Sequence, residues 1–306
     1  MIADGKPLPV RVWQRAMTGV LACILLLLAV YLLAVWTPAG QRFEDAVLSA
    51  AERSAREADA ARATGTLNTI SGPFLLGALV VVPAIGLLRR RPFLGSLAAG
   101  VVVASVLTTE VLQRSVLRPV LLESGQRRED QSFPSGHTSV AMSVLCALAL
   151  VTPYRFRGAV VFLASLGATS VEVATVTASW HRPSDTIGSD LIVVIYTCVA
   201  VAVLARQGRV SEATLRTTGG RATRAFLAGG YAGVAVVAFG VAVVATAVPG
   251  QLSGDGWAAD GSVLTAGRAL ALSGSAAVPL ALLALLHRIE LAAPRRGPAR
   301  VGESNL

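Results

Sequence analysis

Long apolar runs recur along this chain, and short segments rich in Arg, Pro and Gly separate them. A helix needs roughly 20 predominantly apolar residues to cross the hydrocarbon core of a bilayer, where the backbone must satisfy its own hydrogen bonds. Eight runs predict membrane-spanning helices, near 16–37, 69–88, 93–113, 136–153, 159–179, 185–205, 225–247 and 264–287. The predicted fold class is therefore all-α, a polytopic transmembrane helix bundle.

Charged residues interrupt three of these runs: Glu110 the third, Glu172 the fifth, and Arg268 the start of the eighth. A charge at the centre of a span costs at least about 2.5 kcal/mol, so Glu172 is expected to face the bundle interior. There it could pair with an arginine or another group below a site, or be a protonated structural hydrogen-bonder. Glu110 precedes Arg114 by four residues, the spacing of an ion pair on one helix face.

The first long loop, over 38–68, mixes acidic and basic residues with many alanines. Alanine favours helix, and opposite charges at helical spacing stabilise an exposed helix. The pattern predicts a solvated helix outside the membrane. A lid over a functional site is the alternative use of such a segment.

Composition agrees with a membrane protein. Of 306 residues, 54% are hydrophobic and 15% are charged, and the mean hydropathy of +0.63 is too high for an ordinary soluble domain. Three cysteines, Cys23, Cys146 and Cys198, lie within apolar runs at spacings that indicate packing rather than disulfides or a zinc site.

The net charge of +9 comes almost wholly from arginines in loops, which indicates membrane topology rather than a nucleic-acid partner. Alternate loops are basic, whereas 249–263 contains Asp255 and Asp260 and no basic residue. Cytoplasmic loops hold the excess of basic residues, so both termini are predicted to be cytoplasmic. The segment 114–133 is basic although it falls outside, and anion binding would explain that exception.

Two histidines lie at loop-to-helix junctions on this outer side. His137 stands in Phe-Pro-Ser-Gly-His-Thr and His181 in Trp-His-Arg-Pro-Ser-Asp. Their convergence depends on the number of helices between them, because one helix more or fewer would place them on opposite membrane faces. The predicted topology therefore brings both to one site.

The first motif has the features of an anion cradle. Pro134 disfavours helix at the residue before it, Ser135 is a good N-cap, and Gly136 lets a ligand approach the backbone closely. The free N–H groups and the positive dipole end of the following helix would then point at a phosphate, with His137 beside it.

The second motif pairs a histidine with a carboxylate. Pro183 suits the first turn of a helix, and Asp185 follows His181 by four residues. A carboxylate on one ring nitrogen fixes the tautomer and leaves the other nitrogen as a nucleophile. In the alternative, Asp185 only caps the helix and His181 only sits at the membrane interface.

Together these residues resemble the type 2 phosphatidic acid phosphatase superfamily, whose signature is Lys-x6-Arg-Pro, Pro-Ser-Gly-His and Ser-Arg-x5-His-x3-Asp. Arg118-Pro119 matches the end of the first motif. The resemblance implies that His181 attacks phosphorus, Asp185 orients it and His137 protonates the leaving alkoxide. It also implies that Arg118, Ser135 and Gly136 hold the phosphate, and that no metal or other cofactor is needed.

The chain departs from the signature at three positions, because Val111 replaces the lysine and Ala174 and Thr175 replace the Ser-Arg pair. A lost oxyanion donor can cost about 3 kcal/mol in a transition state. Gln113 or Arg114, one helical turn before Arg118, could partly stand in for the lysine, and Arg127, Arg128 and Arg182 are nearby in sequence.

The sequence therefore predicts a membrane phosphatase for a lipid phosphomonoester or pyrophosphate, such as phosphatidate, phosphatidylglycerol phosphate or a polyprenyl phosphate. Its predicted partners are the lipid substrate and the bilayer. A lipid phosphotransferase and a non-catalytic protein that binds or translocates anionic lipid are the alternatives. The predicted organisation is a family-like six-helix core with the helical loop over 1–206, a basic cytoplasmic loop over 207–224, two additional spans over 225–287 and a cytoplasmic tail over 288–306. Glycines near 229–240 would allow close packing onto the core or in a homodimer.

Overall fold

The computed structural model describes residues 7–54, 57–70, 72–116, 118–119, 121–122, 132–213, 218–247 and 257–291. These residues form ten helices and two short strands. The helices are α1 (Leu8–Val35), α2 (Pro38–Ser54), α3 (Glu57–Thr69), α4 (Gly72–Leu88), α5 (Pro92–Ser115), α6 (Gly136–Val151), α7 (Tyr154–Thr177), α8 (Pro183–Arg206), α9 (Thr218–Ala247) and α10 (Trp257–Leu285). The strands are β1 (Val210–Glu212) and β2 (Ile289–Leu291), which pair antiparallel.

Each of the eight predicted spans forms a helix, which confirms the all-α bundle. Six helices, α1, α5, α7, α8, α9 and α10, are long and apolar enough to cross a bilayer. The remaining two are shorter. Helix α4 has 17 residues and follows part of α3 across a bend of 42°, and α6 has 16 residues.

Helix α8 lies at the centre of the bundle. It is the most buried of the six long apolar helices, and α1, α5, α6 and α10 pack around it. Helix α9 is the least buried of them and packs mainly on α10. A Cβ added at Gly229, Gly230, Gly233 or Gly240 would contact nothing within 4 Å. These glycines therefore do not serve close packing onto the core.

Arginines from several loops meet at one end of the bundle, called here the arginine end. The guanidinium groups of Arg89 and Arg91 lie 3.1 and 3.0 Å from the carboxylate of Glu290 in β2. The buried Arg157 donates to the carbonyl oxygens of Ile289 and Ala149. The loops after α4, α6 and α8 thus lie on the same side as the end of α10, as their shared positive charge indicated.

The charged loop over 38–68 is helical, as predicted, but it forms two helices rather than one, and its interpretation as solvated is wrong for α2. One face of α2 is buried and includes Gln41, Glu44 and Val47. The small alanines of this face let α2 pack closely on α10 and α7. The two polar side chains on that face are directed toward the end of the bundle opposite the arginine end.

The strands were not predicted, because three-residue strands carry no periodic signal. Some residues used to predict the topology, namely Lys6, Asp255 and the tail beyond Leu291, lie outside the described part of the chain.

Close backbone contact between α4 and α5 gives a test of this packing. A Cβ at Gly86 would lie 2.5 Å from the Cα atom of Gly95, so Gly86→Ala must push the two helices apart. We expect it to lower the free energy of unfolding by about 1–3 kcal/mol, measured by thermal unfolding in detergent. Gly100→Ala on α5 is the matched control, since a Cβ there meets nothing, and an equal loss in both variants would contradict the packing.

Candidate active site

The two histidine motifs lie at the end of the bundle opposite the arginine end. The side chain of Arg89 donates to the carbonyl oxygen of Val151 at the C-terminus of α6, so His137 at the N-terminus of α6 is at the far end. His181 lies in the turn that joins α7 to α8. The topology therefore brings both histidines to one side.

Ser135 joins the start of α6 to the start of α8. It is the N-cap of α6, as predicted, and its Oγ accepts a hydrogen bond from the N–H of Thr138 at 3.4 Å. The N–H of Ser135 donates to the carbonyl oxygen of Asp185 at 2.9 Å. The hydroxyl of Ser189 donates to the carbonyl oxygen of Ser135 at 2.7 Å. These bonds fix the Pro-Ser-Gly-His segment against the first turns of α8.

The segment before this cap also contacts α8. The Phe133–Pro134 peptide bond is cis, and the Phe133 ring is buried against Gly188. A Cβ at Gly188 would lie 2.7 Å from that ring, so glycine is what admits the ring here. At Gly136, in contrast, an added Cβ would meet no atom within 4 Å. Packing does not require that glycine, and the space beside it is open to a ligand.

The His181 imidazole faces a buried carboxylate. Its Nδ1 lies 3.4 Å from Oδ2 of Asp185, whose side chain is fully buried. The same Oδ2 accepts a hydrogen bond from the N–H of Arg182 at 2.9 Å. Asp185 therefore both caps α8 and contacts the imidazole, so the two uses that the sequence left open are present together. The ring nitrogen not engaged with Asp185 is Nε2.

The tight turn after α7 aims His181 back over the helix end. Ser179 has a φ of +59°, and the N–H groups of Trp180 and His181 both donate to the carbonyl oxygen of Thr175 at 3.0 and 3.3 Å. The Trp180 ring meets the His137 ring edge-on, with centroids 5.3 Å apart. The charge of His181 also acts on His137, so the two rings lie close together at this end of the bundle.

Two of the arginines expected to bind phosphate, Arg118 and Arg182, are already paired with carboxylates of α2, whereas Arg127 and Arg128 lie outside the described residues. The Nη2 of Arg118 donates to Oε2 of Glu44 at 3.1 Å. The Nε and Nη2 of Arg182 donate to Oδ1 of Asp45 at 3.3 and 3.0 Å, and its Nη1 donates to the hydroxyl of Ser132 at 3.1 Å. Sequence reasoning missed Glu44 and Asp45, although a carboxylate pair on an alanine-rich helix was the available signal.

Glu44 is 2% exposed and bridges two parts of the site. Its Oε1 accepts a hydrogen bond from the N–H of Ser184 in the first turn of α8 at 3.1 Å. Burial raises the pKa of the Glu44 carboxyl, and the charge of Asp185 raises it further. The positive charge of Arg118 and the bond to Ser184 oppose that shift.

The remaining predicted compensating groups lie outside this cluster. Arg114 forms the predicted ion pair with Glu110 on the exposed side of α5. Gln113 donates through Nε2 to the carbonyl oxygen of Pro134 at 2.6 Å and thereby holds the segment before α6. Val111, at the position of the expected lysine, is 59% exposed.

Glu172 is fully buried, as predicted, and faces α10 together with Asp190 of α8. A Cβ at Gly274 would lie 3.2 Å from Oδ2 of Asp190 and 3.5 Å from Oε1 of Glu172. Both carboxyl groups therefore lie in the interior of the bundle between α7, α8 and α10. Within the described part of the chain, no group of three or more His, Cys, Asp or Glu side chains is placed to hold a metal ion.

The role of Gln113 in positioning the cap is testable. Gln113→Leu leaves the Pro134 carbonyl without its donor, and we expect the free energy of unfolding to fall by about 1–3 kcal/mol. Arg114→Ala, at the next residue, removes only an exposed ion pair and should change it by less than about 0.5 kcal/mol. Thermal unfolding of both variants in detergent measures the difference. A larger loss for Arg114→Ala would contradict this assignment.

Comparison with known families finds a match between the PAP2 superfamily model and residues 72–209. The match covers α4 to α8 and both histidine motifs, and α1 packs on α8 from outside it. No curated protein and no solved structure matches the chain. Members of this superfamily are generally phosphatases, so the match suggests activity on phosphate esters. The chain is therefore a polytopic membrane protein, with six helices long and apolar enough to cross a bilayer, whose residues 72–209 match the PAP2 superfamily.

Proposed function

We propose that this protein hydrolyses a lipid phosphomonoester or pyrophosphate through a phosphohistidine intermediate. The observation that carries the proposal is the contact between Nδ1 of His181 and the buried Asp185 carboxylate, with His137 in the same pocket. This arrangement supplies a nucleophile, its orienting group and a second histidine for proton transfer. A purely structural role would require none of the three together.

In the first step, Nε2 of His181 attacks phosphorus. A nitrogen–phosphorus bond forms, the bond from phosphorus to the lipid oxygen breaks, and protonated His137 gives its proton to the leaving oxygen. Asp185 stabilises the positive charge that develops on the His181 ring. The first product is the dephosphorylated lipid, or the lipid monophosphate if the substrate is a pyrophosphate.

In the second step, water replaces the lipid oxygen. His137, now neutral, takes a proton from the water as its oxygen attacks phosphorus, and the nitrogen–phosphorus bond breaks. Inorganic phosphate leaves, and both histidines return to their starting states. The proton balance closes without a metal or another cofactor.

Phosphate binding is assigned first to Arg118 and to the N-terminus of α6 at Ser135 and Gly136. Free N–H groups at a helix N-terminus are suited to an anion, and the space beside Gly136 is open. Arg182 is buried close by, and its positive charge would help to stabilise the phosphate bound there. Arg114 is exposed beside Glu110, so we give it a smaller contribution.

A lipid substrate fits the surface around the site. Large apolar side chains are exposed near it, among them Leu107, Val111, Trp36 and Trp180. Tryptophan favours the membrane–water interface, which supports a position of the pocket at head-group depth. Val111 stands where the family signature has a lysine, and it lies on this apolar surface. An uncharged side chain at this position suits contact with lipid. Phosphatidate, phosphatidylglycerol phosphate and polyprenyl phosphates or pyrophosphates all have this chemistry.

Different leaving groups separate the roles of the two histidines. His181→Ala should reduce phosphate release from every substrate by at least about 1,000-fold, because no nucleophile remains. His137→Gln should slow release from phosphatidate by about 100-fold or more. It should slow the release of p-nitrophenol from p-nitrophenyl phosphate in the first turnover far less, because that leaving group needs no proton and leaves before the water step that both substrates share. Phosphate release by the purified protein in detergent, with and without EDTA, measures these rates.

Equal losses in the first-turnover release of both leaving groups in His137→Gln would contradict the acid role. Loss of activity with EDTA would contradict the metal-independent route. If the phosphohistidine forms but phosphate appears on an added alcohol rather than in water, the protein is a phosphotransferase.

A non-catalytic protein that binds or translocates anionic lipid is the second candidate. The observation in its favour is that Arg118 and Arg182 are both paired with carboxylates of α2. Binding of phosphatidate vesicles without phosphate release, equal in wild type and His181→Ala, would establish it. The paired histidines favour catalysis, since simple binding has no need of a nucleophile.

We also propose that the site faces away from the cytoplasm. Both termini then lie on the cytoplasmic side of the membrane. Single cysteines placed in a background without Cys23, Cys146 and Cys198 test this topology. Leu121→Cys at the site end and Gln207→Cys at the arginine end are both exposed positions. A membrane-impermeant maleimide should label only Leu121→Cys in intact cells, and both positions after permeabilisation. The opposite labelling would invert the topology.

A further inference from the structure

Arg118 and the first turn of α8 form a pocket suited to an anion, and a carboxylate of the same chain fills it. Oε2 of Glu44 accepts a hydrogen bond from Arg118, and Oε1 accepts one from the backbone N–H of Ser184, both at 3.1 Å. The positive end of α8, a helix of 24 residues, adds its dipole to the guanidinium charge. One carboxylate thus stands where two sources of positive potential converge.

This pocket holds more donors than Glu44 uses. Nη1 of Arg118 and the hydroxyl of Ser184 are buried and have no hydrogen-bond partner among the residues that the structure describes. The Arg118 side chain is 9% exposed and Ser184 is 4% exposed. A buried donor without an acceptor is costly, and the two donors belong to the two residues that already hold Glu44. A carboxylate has two oxygens, whereas a phosphoryl group has three or more.

Glu44 is itself poorly matched to this position. It is fully buried, and the carboxylate of Asp185 acts on it with a like charge. Burial of a charge is favourable only with good pairing. A phosphate that replaced it would use the spare donors and relieve the repulsion between the two carboxylates.

We propose that Glu44 is an internal anion that occupies the phosphate site in the resting protein and is displaced when a phosphoryl group binds. The incoming group takes the donors of Arg118 and Ser184, with Ser184 as a further phosphate-binding residue. This inference rests on the proposed function for the identity of the anion. The proposal explains why Arg118, one of the few cationic side chains of the site, is paired with Glu44 when no substrate is bound.

The exchange requires only the Glu44 side chain to leave. Gln41, one turn earlier on α2, donates to the carbonyl oxygens of Val35 and Pro119 at 2.7 and 2.6 Å. Its Oε1 accepts a hydrogen bond from the N–H of Leu121 at 3.3 Å. These bonds hold the start of α2 to the segment that carries Arg118, so the cradle stays in place while the carboxylate turns away.

Direct binding of inorganic phosphate to the full-length protein in detergent, measured by calorimetry, tests the proposal. Glu44→Gln keeps the size of the side chain and removes its charge, and we expect phosphate to bind at least about tenfold more tightly. Glu44→Ala is the second variant and should act in the same direction. In the Glu44→Gln background, Arg118→Ala or Ser184→Ala should remove most of the gain.

Glu290→Gln is the matched control, because it makes the same change in a Glu–Arg pair at the arginine end, away from the site. It should leave phosphate affinity unchanged. Thermal unfolding of each variant shows that it is folded. Unchanged affinity in both folded Glu44 variants, or an equal gain in Glu290→Gln, would overturn the proposal.

The same samples separate this inference from the proposed function. If Glu44→Gln tightens phosphate binding but no lipid phosphate is hydrolysed, the internal anion stands and the phosphatase proposal fails. If the wild type releases phosphate from lipid and Glu44→Gln leaves phosphate affinity unchanged, the phosphatase proposal stands and the internal anion fails.

Discussion

The hydrogen bonds between the starts of α6 and α8 are the constraint on which the site depends. Ser135 donates to the Asp185 carbonyl and accepts from the Ser189 hydroxyl, so two helix N-termini are held side by side in the most buried part of the bundle. These bonds lie where water is scarce, and their loss would leave buried polar groups without partners. Because His137 follows Ser135 and His181 precedes α8, the same bonds set the spacing of both histidines.

Buried charge shapes the rest of this region. Asp185 acts on both His181 and the α8 cap, and the two α2 carboxylates pair with Arg118 and Arg182. Burial of any one of these groups alone would be costly, yet together they compensate each other. The result is a polar layer at one end of an otherwise apolar bundle. The arginine end has its own network around Glu290, so each membrane face is held by charge rather than by apolar contact alone.

Much of the fold could be predicted from local patterns. Eight apolar runs gave eight helices, and the position of Ser135 before Gly136 gave the N-cap of α6. Glu172 was expected to face the bundle interior, because exposing a charged side chain to lipid is energetically costly. It is indeed fully buried. The burial of α2 could not be predicted in this way, because its charged residues suggested solvent. Their partners, Arg118 and Arg182, lie 74 and 137 positions away in sequence.

The sequence by itself determined the class of the protein, the positions and order of its eight apolar helices, and the two motifs in which the histidines stand. Those features depend on hydrophobicity and on neighbours within about one helical turn, which a linear pattern records. Only the tertiary structure decided that α2 folds over the site, that Glu44 and Asp45 pair with its arginines, and that Glu172 faces Asp190 beneath α10. Such contacts join residues far apart in the chain. Their energies depend on desolvation, which is set by packing and not by the sequence around any one residue.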